Sequence, residues 1–178
     1  MFIVLFGLSG TGKNYVSNIM QKNLHFYVLD GDELLPADMR DSISNKTPFT
    51  QQQRDHFTET LITAAKKINE PNMVLVQALY KNSNRRRIAD AFPDCQFIQV
   101  QSDPEIIAIR LQERGKINDL DYARKISQYF EPPAHPFMTI ANNVNNDEAG
   151  IMYQLKLLLP AMLVPDDLAV EETSRFRP

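Results

Sequence analysis

Phe2-Ile3-Val4-Leu5-Phe6-Gly7-Leu8-Ser9-Gly10-Thr11-Gly12-Lys13 is the stretch that decides the fold. Five apolar residues without alternation read as a strand buried on both faces, as in a parallel sheet. After the loop, Val16, Ile19, Met20 and Leu24 recur at helical spacing. The intervening residues match G-x-x-x-x-G-K in the strand–loop–helix setting that this phosphate-binding motif requires. Its glycines let successive main-chain N–H groups turn inward around phosphate oxygens, the helix N-terminus adds its positive end, and Lys13 reaches the outer phosphates. Gly7, Ser9, Gly10, Thr11, Gly12 and Lys13 are therefore the expected nucleotide-binding residues. The residue after the lysine, where a hydroxyl ligand to Mg2+ is expected, is Asn14. Its amide oxygen can bind the metal or one of its waters, with a longer and differently aimed reach.

Working outward, Phe26 to Leu29 reads as a second strand, closed by Asp30-Gly31-Asp32. Thr50 and Gln53 form a capping-box pattern ahead of a helix carrying Phe57, Leu61, Ala64, Ala65 and Ile68, which Pro71 and Asn72 end. Met73 to Val76 is a third strand, Asn84 to Ala91 a helix, and Cys95 to Val100 a fourth strand. Ser102-Asp103-Pro104-Glu105 is a helix start, with proline near the first helical position and acids in the first turn. Gly115 to Leu120 is polar and reads as mobile, with helix resuming over Asp121 to Tyr129. Met138 to Ala141 is a fifth strand, and the Asn-rich turn 142–146 leads into a last helix over Glu148 to Leu159. Strands alternating with helices predict a parallel sheet covered by helices on both faces. Residues 164–178 read as a charged surface segment or tail.

Composition narrows the class. With 178 residues, 43% apolar and 23% charged, the chain suits one globular domain rather than a disordered or low-complexity one. A net charge of −3 implies no general attraction to nucleic acid or anionic lipid, so an anionic ligand needs a local site. The single Cys95 can form no internal disulfide. The apolar runs are too short to span a membrane, and no basic region precedes the first of them, so the expectation is a cytoplasmic protein.

Asp30 and Asp32 fall at the C-terminal end of the second strand, the edge where open parallel sheets bind ligands. Two carboxylates so spaced can divide labour, one near a metal and its waters, the other accepting a proton from an attacking hydroxyl; a polar turn capped by Asp32 is the plainer alternative. Arg54 stands three residues before core-facing Phe57, on the buried side, where an arginine needs an anionic partner: a substrate carboxylate or phosphate, or a structural acid. Arg110 and Arg114 lie one helical turn apart and can stack on a base or clamp a phosphate, or else form a solvated face. Arg85-Arg86-Arg87 cannot all face one site, so at least one is solvated.

These elements together resemble the small P-loop metabolite kinases, and among them the gluconate kinase family, relatives of shikimate and adenylylsulfate kinases. The resemblance covers residues 1–141 and rests on the phosphate loop, Leu29-Asp30-Gly31-Asp32 with Leu35-Pro36, and Thr47-Pro48-Phe49-Thr50 leading to Arg54. Gln77-Ala78-Leu79-Tyr80-Lys81, Arg110-Leu111-Gln112-Glu113-Arg114 and Ser127-Gln128-Tyr129 with Glu131-Pro132 complete it. It implies a three-layer α/β/α P-loop NTPase fold with a five-stranded parallel sheet over residues 1–163, a small lid at 115–128 and a substrate region at 33–60. It also implies ATP and Mg2+, with transfer of the γ-phosphoryl group to a hydroxyl of a sugar or sugar acid, in a monomer or homodimer with neither nucleic acid nor membrane as partner. Lys13, Asp32 and Arg114 would be catalytic, Arg110 would join the loop at the nucleotide, Asp32 and Arg54 would hold the acceptor, and Asn14 and Asp30 the metal. The chain departs from gluconate kinases in having Asn14 for Ser, Gln52 and Gln53 for acids, Phe57 for Trp, and no histidine after Gly115-Lys116. Another anionic acceptor such as adenylylsulfate, or nucleotide binding without turnover, are the alternatives.

Overall fold

The computed structural model describes residues 1–113, 117–143 and 147–160. Five parallel strands, β1 (Phe2–Phe6), β2 (Tyr27–Asp30), β3 (Met73–Val76), β4 (Gln96–Gln101) and β5 (Met138–Ala141), form one sheet in the order β2-β3-β1-β4-β5. The helices are α1 (Lys13–Leu24), α2 (Ala37–Ser44), α3 (Gln51–Ala65), α4 (Asn82–Ala91), α5 (Pro104–Glu113), α6 (Ile117–Ser127) and α7 (Glu148–Leu158).

Strand β1 sits at the centre between β3 and β4, and its alternate residues feed two cores. Ile3 and Leu5 pack with Val74, Val76, Ile98 and Val100 beneath α1 and α7. Val4 and Phe6 pack with Leu75 and Phe97 against Leu61 of α3 and Ile88 of α4. The unbroken apolar runs thus have a physical cause: both faces of each central strand are covered, giving the three layers that the alternating pattern implies.

The sequence punctuation is realised locally. Thr50 and Gln53 close a reciprocal capping box on α3, and Asp147 caps α7 by accepting from the Gly150 N–H. Three features differ from the sequence reading. Helix α2 lies where only a substrate region was expected; its polar residues bury Met39 alone, too little for a legible stripe. A 3-10 turn, Gly31–Leu34, follows β2 directly. Helix α6 starts at Ile117, inside the stretch read as a mobile loop, rather than at Asp121. Arg114, Gly115 at the start of the expected lid, and residues 164–178 lie outside the described residues. Among the described residues, no helix is long and apolar enough to cross a membrane.

Candidate active site

The first loop leaves β1 at its C-terminal end, and Gly7, Gly10 and Gly12 all adopt positive φ. At Gly12 the demand is double: φ is 84°, and a Cβ there would stand 2.2 Å from Asn142 Nδ2. Asn142, itself buried, donates from Nδ2 to the Thr11 carbonyl at 2.8 Å. Ser102 Oγ and Arg110 donate to the same oxygen at 3.2 and 3.3 Å, and Arg110 also donates to Ser102 Oγ at 3.0 Å. The loop is therefore held from behind by residues after β4 and β5. Lys13 Nζ donates across the loop to the Gly7 and Leu8 carbonyls at 3.1 and 2.9 Å.

In front of the loop is a cleft of about 280 Å3, lined by Ser9, Gly10, Gly12, Lys13 and Asn14 at one end. Asp30 and Asp32 enter from the end of β2, Gln77 to Tyr80 from the end of β3, Phe49, Arg54 and Phe57 from α3 and the turn before it, and Tyr122 and Ile126 from α6. Eight residues expected to act together, Ser9, Gly10, Gly12, Lys13, Asn14, Asp30, Asp32 and Arg54, do line one cavity. Gly7, Thr11 and Arg110 stand in the wall behind it, with Thr11 buried and Arg110 bracing its carbonyl.

The carboxylates are held in different ways. Asp30 accepts the Asp32 N–H on Oδ1 at 2.9 Å, capping the 3-10 turn, and the Asn14 side-chain amide on Oδ2 at 2.7 Å. Asp32 accepts from Gln77 Nε2 on Oδ1 at 3.1 Å. The carboxylates of Asp30 and Asp32 and the amide oxygen of Asn14 are the hard donors that suit Mg2+, an ion that keeps most of its shell as water and phosphate oxygen, although Asn14 here turns its nitrogen to Asp30. Gln77 also lines the cleft, so an amide from the end of β3 reaches Asp32 there.

Arg54 projects between two rings, its guanidinium carbon 5.5 Å from the Phe49 centroid and 5.6 Å from that of Tyr80. Among the described residues no carboxylate lies within ion-pair distance of it, and Glu131 acts on it only through longer-range charge. Burial pulls its pKa below the ordinary arginine value, with Tyr80 first among the groups opposing the shift. Burial likewise pushes the Tyr80 phenol up to about 12, so this hydroxyl is a neutral hydrogen-bonding group at any physiological pH. Tyr122 donates its hydroxyl to the Thr47 carbonyl at 3.0 Å, joining α6 to the turn between α2 and α3.

Of the three consecutive arginines, Arg85 is the one taken inside, fully buried, while Arg86 is exposed and Arg87 pairs at the surface with Glu59 at 3.4 Å. Sequence reasoning gave no role to Gln77, Tyr80, Tyr122 or Asn142. A usable signal existed for the first: it stands one residue past a buried strand, the same edge position that made Gly7 and Asp30-Gly31-Asp32 conspicuous.

A family model described as an AAA domain matches residues 3–131, nearly three quarters of the chain. The chain belongs to this AAA domain family. The thermoresistant gluconokinase of Escherichia coli K12 is 30% identical over 114 residues, spanning 62% of this chain and 65% of that enzyme, just under two thirds of its length. A probable gluconokinase of Xenopus tropicalis is 26% identical over 174 residues, covering 88% of this chain and 92% of the relative. Among solved structures, a gluconokinase from Sinorhizobium meliloti 1021 superposes with a TM-score of 0.73 at 21% identity, covering 90% of this chain and 91% of the other. The Mycobacterium tuberculosis APS kinase CysC, solved with AMPPNP and APS, gives 0.59 at 20% identity, covering 88% and 96%. These structural likenesses carry the three-layer P-loop fold, and the gluconokinase relatives are in line with the resemblance to small-metabolite kinases.

Proposed function

We propose that this AAA domain protein is an ATP-dependent kinase that transfers the γ-phosphoryl group to a hydroxyl of a small anionic acceptor, a sugar acid of the gluconate class. The observation that carries the reading is the shared cleft, which brings together the phosphate loop, the Asp30 and Asp32 carboxylates, and an arginine held between two rings. The gluconokinase names of the relatives support the acceptor class.

In this reading the main chain of Gly7 to Gly12 cradles the phosphates and Lys13 exchanges its loop carbonyls for phosphate oxygens. Arg110 holds the loop's rear wall at the nucleotide end. Asn14 and Asp30 hold Mg2+ or its waters, and the ion's contribution is to neutralise charge on the phosphates. Arg54 pairs with the acceptor's carboxylate, setting the hydroxyl toward Asp32. As the acceptor oxygen bonds to the γ-phosphorus, the bond from that phosphorus to the β–γ bridging oxygen breaks, ADP leaves, and Asp32 takes the hydroxyl proton. Arg114, one turn beyond Arg110, is assigned to the transferring phosphate, with residues 115–128 as the lid that excludes water.

ATP consumption with Mg2+ over a panel of sugar acids, sugars and adenylylsulfate tests the proposal, with turnover expected on a sugar acid. Lys13→Ala should abolish both turnover and the rise in melting temperature given by ATP. Stabilisation by ATP without turnover on any acceptor would favour a nucleotide-binding protein instead.

A further inference from the structure

We infer that Gln77 is a positioning residue for Asp32, fixing which carboxylate oxygen is left to take the acceptor's proton. The inference rests on the kinase reading above. It starts from the main chain: Gln77 follows the last residue of β3, and its N–H donates to the Leu5 carbonyl at 3.1 Å, so its Cα is anchored to the central strand. From there the side chain reaches into the cleft.

The two ends of the amide are chemically committed. Oε1 accepts the Ala78 N–H at 2.6 Å, a contact only an oxygen can make, which obliges Nε2 to face Asp32, where it donates to Oδ1 at 3.1 Å. Gly31 makes room for this. A Cβ at that position would stand 2.8 Å from Gln77 Nε2 and 3.1 Å from both Leu61 Cδ2 and the Val76 carbonyl oxygen. The glycine between the two aspartates thus answers to the approach of the amide, since its own φ is unexceptional.

Asp32 itself is exposed on the 3-10 turn, and its N–H is spent on Asp30 Oδ1. Among the described residues Gln77 is the one partner of its side chain, and Oδ2 accepts no hydrogen bond. The Gln77 N–H draws charge from Oδ1 and fixes the carboxylate plane, which leaves Oδ2 as the more basic oxygen for an acceptor hydroxyl. Positioning of this kind matters because a general base contributes only when it points at its proton, and a displacement of about 1 Å costs on the order of a hundredfold in rate.

Gln77→Glu tests the inference while retaining an acceptor for the Ala78 N–H. It sets an oxygen against Asp32 Oδ1 in place of a donor. We expect kcat to fall about 10- to 100-fold, with KM for ATP and for the acceptor each within about twofold of the wild type. In an Asp32→Asn background the same change should cost less than about twofold more, because its effect runs through the carboxylate that is no longer there. Equal losses in both backgrounds would overturn the inference. So would a rise in acceptor KM with kcat retained, which would make Gln77 a direct ligand. Gln77→Leu, crystallised beside the wild type, gives a readout free of activity: the Asp32 side chain should leave its present rotamer, and an unmoved carboxylate would overturn the inference. Failure of the wild type to phosphorylate any acceptor would count against the kinase reading alone, and the crystallographic comparison would still decide the role of Gln77.

Discussion

Asn14 donates from Nδ2 to Asp30 Oδ2 at 2.7 Å, tying the first turn of α1 to the end of β2. The amide nitrogen, the end that cannot bind a cation, is thus turned to the carboxylate assigned to the metal. A serine hydroxyl at this position is shorter and leaves Asp30 Oδ2 open. Asn14→Ser should therefore lower the Mg2+ concentration for half-maximal rate about tenfold, the scale on which neighbours of metal ligands act. A Mg2+ titration of initial rates measures it, and a higher Mg2+ requirement would make the Asn14 oxygen itself the better ligand.

Arg54 is fixed by rings, so its charge is available to a ligand. Arg54→Met should leave the melting temperature within a few degrees of wild type, since among the described residues no ion pair is broken. It should raise acceptor KM by about 10- to 100-fold, the equivalent of losing a charged hydrogen bond worth roughly 1.5–3 kcal/mol. KM for ATP should stay within about twofold. A large loss of stability with little change in KM would reassign Arg54 to the scaffold.

Gly12→Ala joins a left-handed φ to a collision with Asn142. The expected cost is about 1–3 kcal/mol of stability, with loss of the ATP-dependent rise in melting temperature, because moving Asn142 releases the Thr11 carbonyl. Thermal denaturation with and without ATP reads both effects.

Glu131 links the segment after α6 to the start of α4, accepting from the Asn82 N–H at 2.7 Å and from Lys81 Nζ at 3.0 Å. The Asn82 hydrogen bond, then the Lys81 hydrogen bond and charge, hold its carboxyl below the usual range. A depressed carboxyl stabilises the fold above its unfolded value of about 4.3, and that contribution disappears as pH falls through the lower folded value. Glu131→Gln should thus be less stable than wild type at neutral pH, with the difference shrinking toward pH 3. Chemical denaturation across that range checks the sign.

Strands β1, β3 and β4 and the phosphate loop are legible because each is a contiguous string whose local pattern carries the meaning. The cleft is less so. Asp30, Asp32 and Arg54 are readable from strand ends and helix phase, but Gln77, Tyr80 and Tyr122 acquire their roles only when separate elements meet. Helix α2 hides for a related reason: Met39 is the one residue it buries, so no apolar periodicity marks it. The Arg85-Arg86-Arg87 run shows the limit most clearly. Composition allows any of the three to turn inward, and the choice depends on which one falls opposite Phe6 and Phe130, on β1 and beyond α6.

The placement of Arg85 reaches beyond its own burial. Its guanidinium carbon lies 5.2 and 5.3 Å from the Phe6 and Phe130 ring centroids, and its nitrogens donate to the Leu79 and Glu131 carbonyls and to Asn82 Oδ1. Phe6 is the last residue of the strand that launches the phosphate loop, and Phe130 stands just past the end of α6. One cation thereby joins the segment after α6 to the centre of the sheet, while Tyr122 on α6 reaches the Thr47 carbonyl on the far side of the cleft. The residue that launches the phosphate loop and the segment leaving α6 therefore share one buried cation, so a substitution at Arg85 is expected to disturb both ends of the cleft at once.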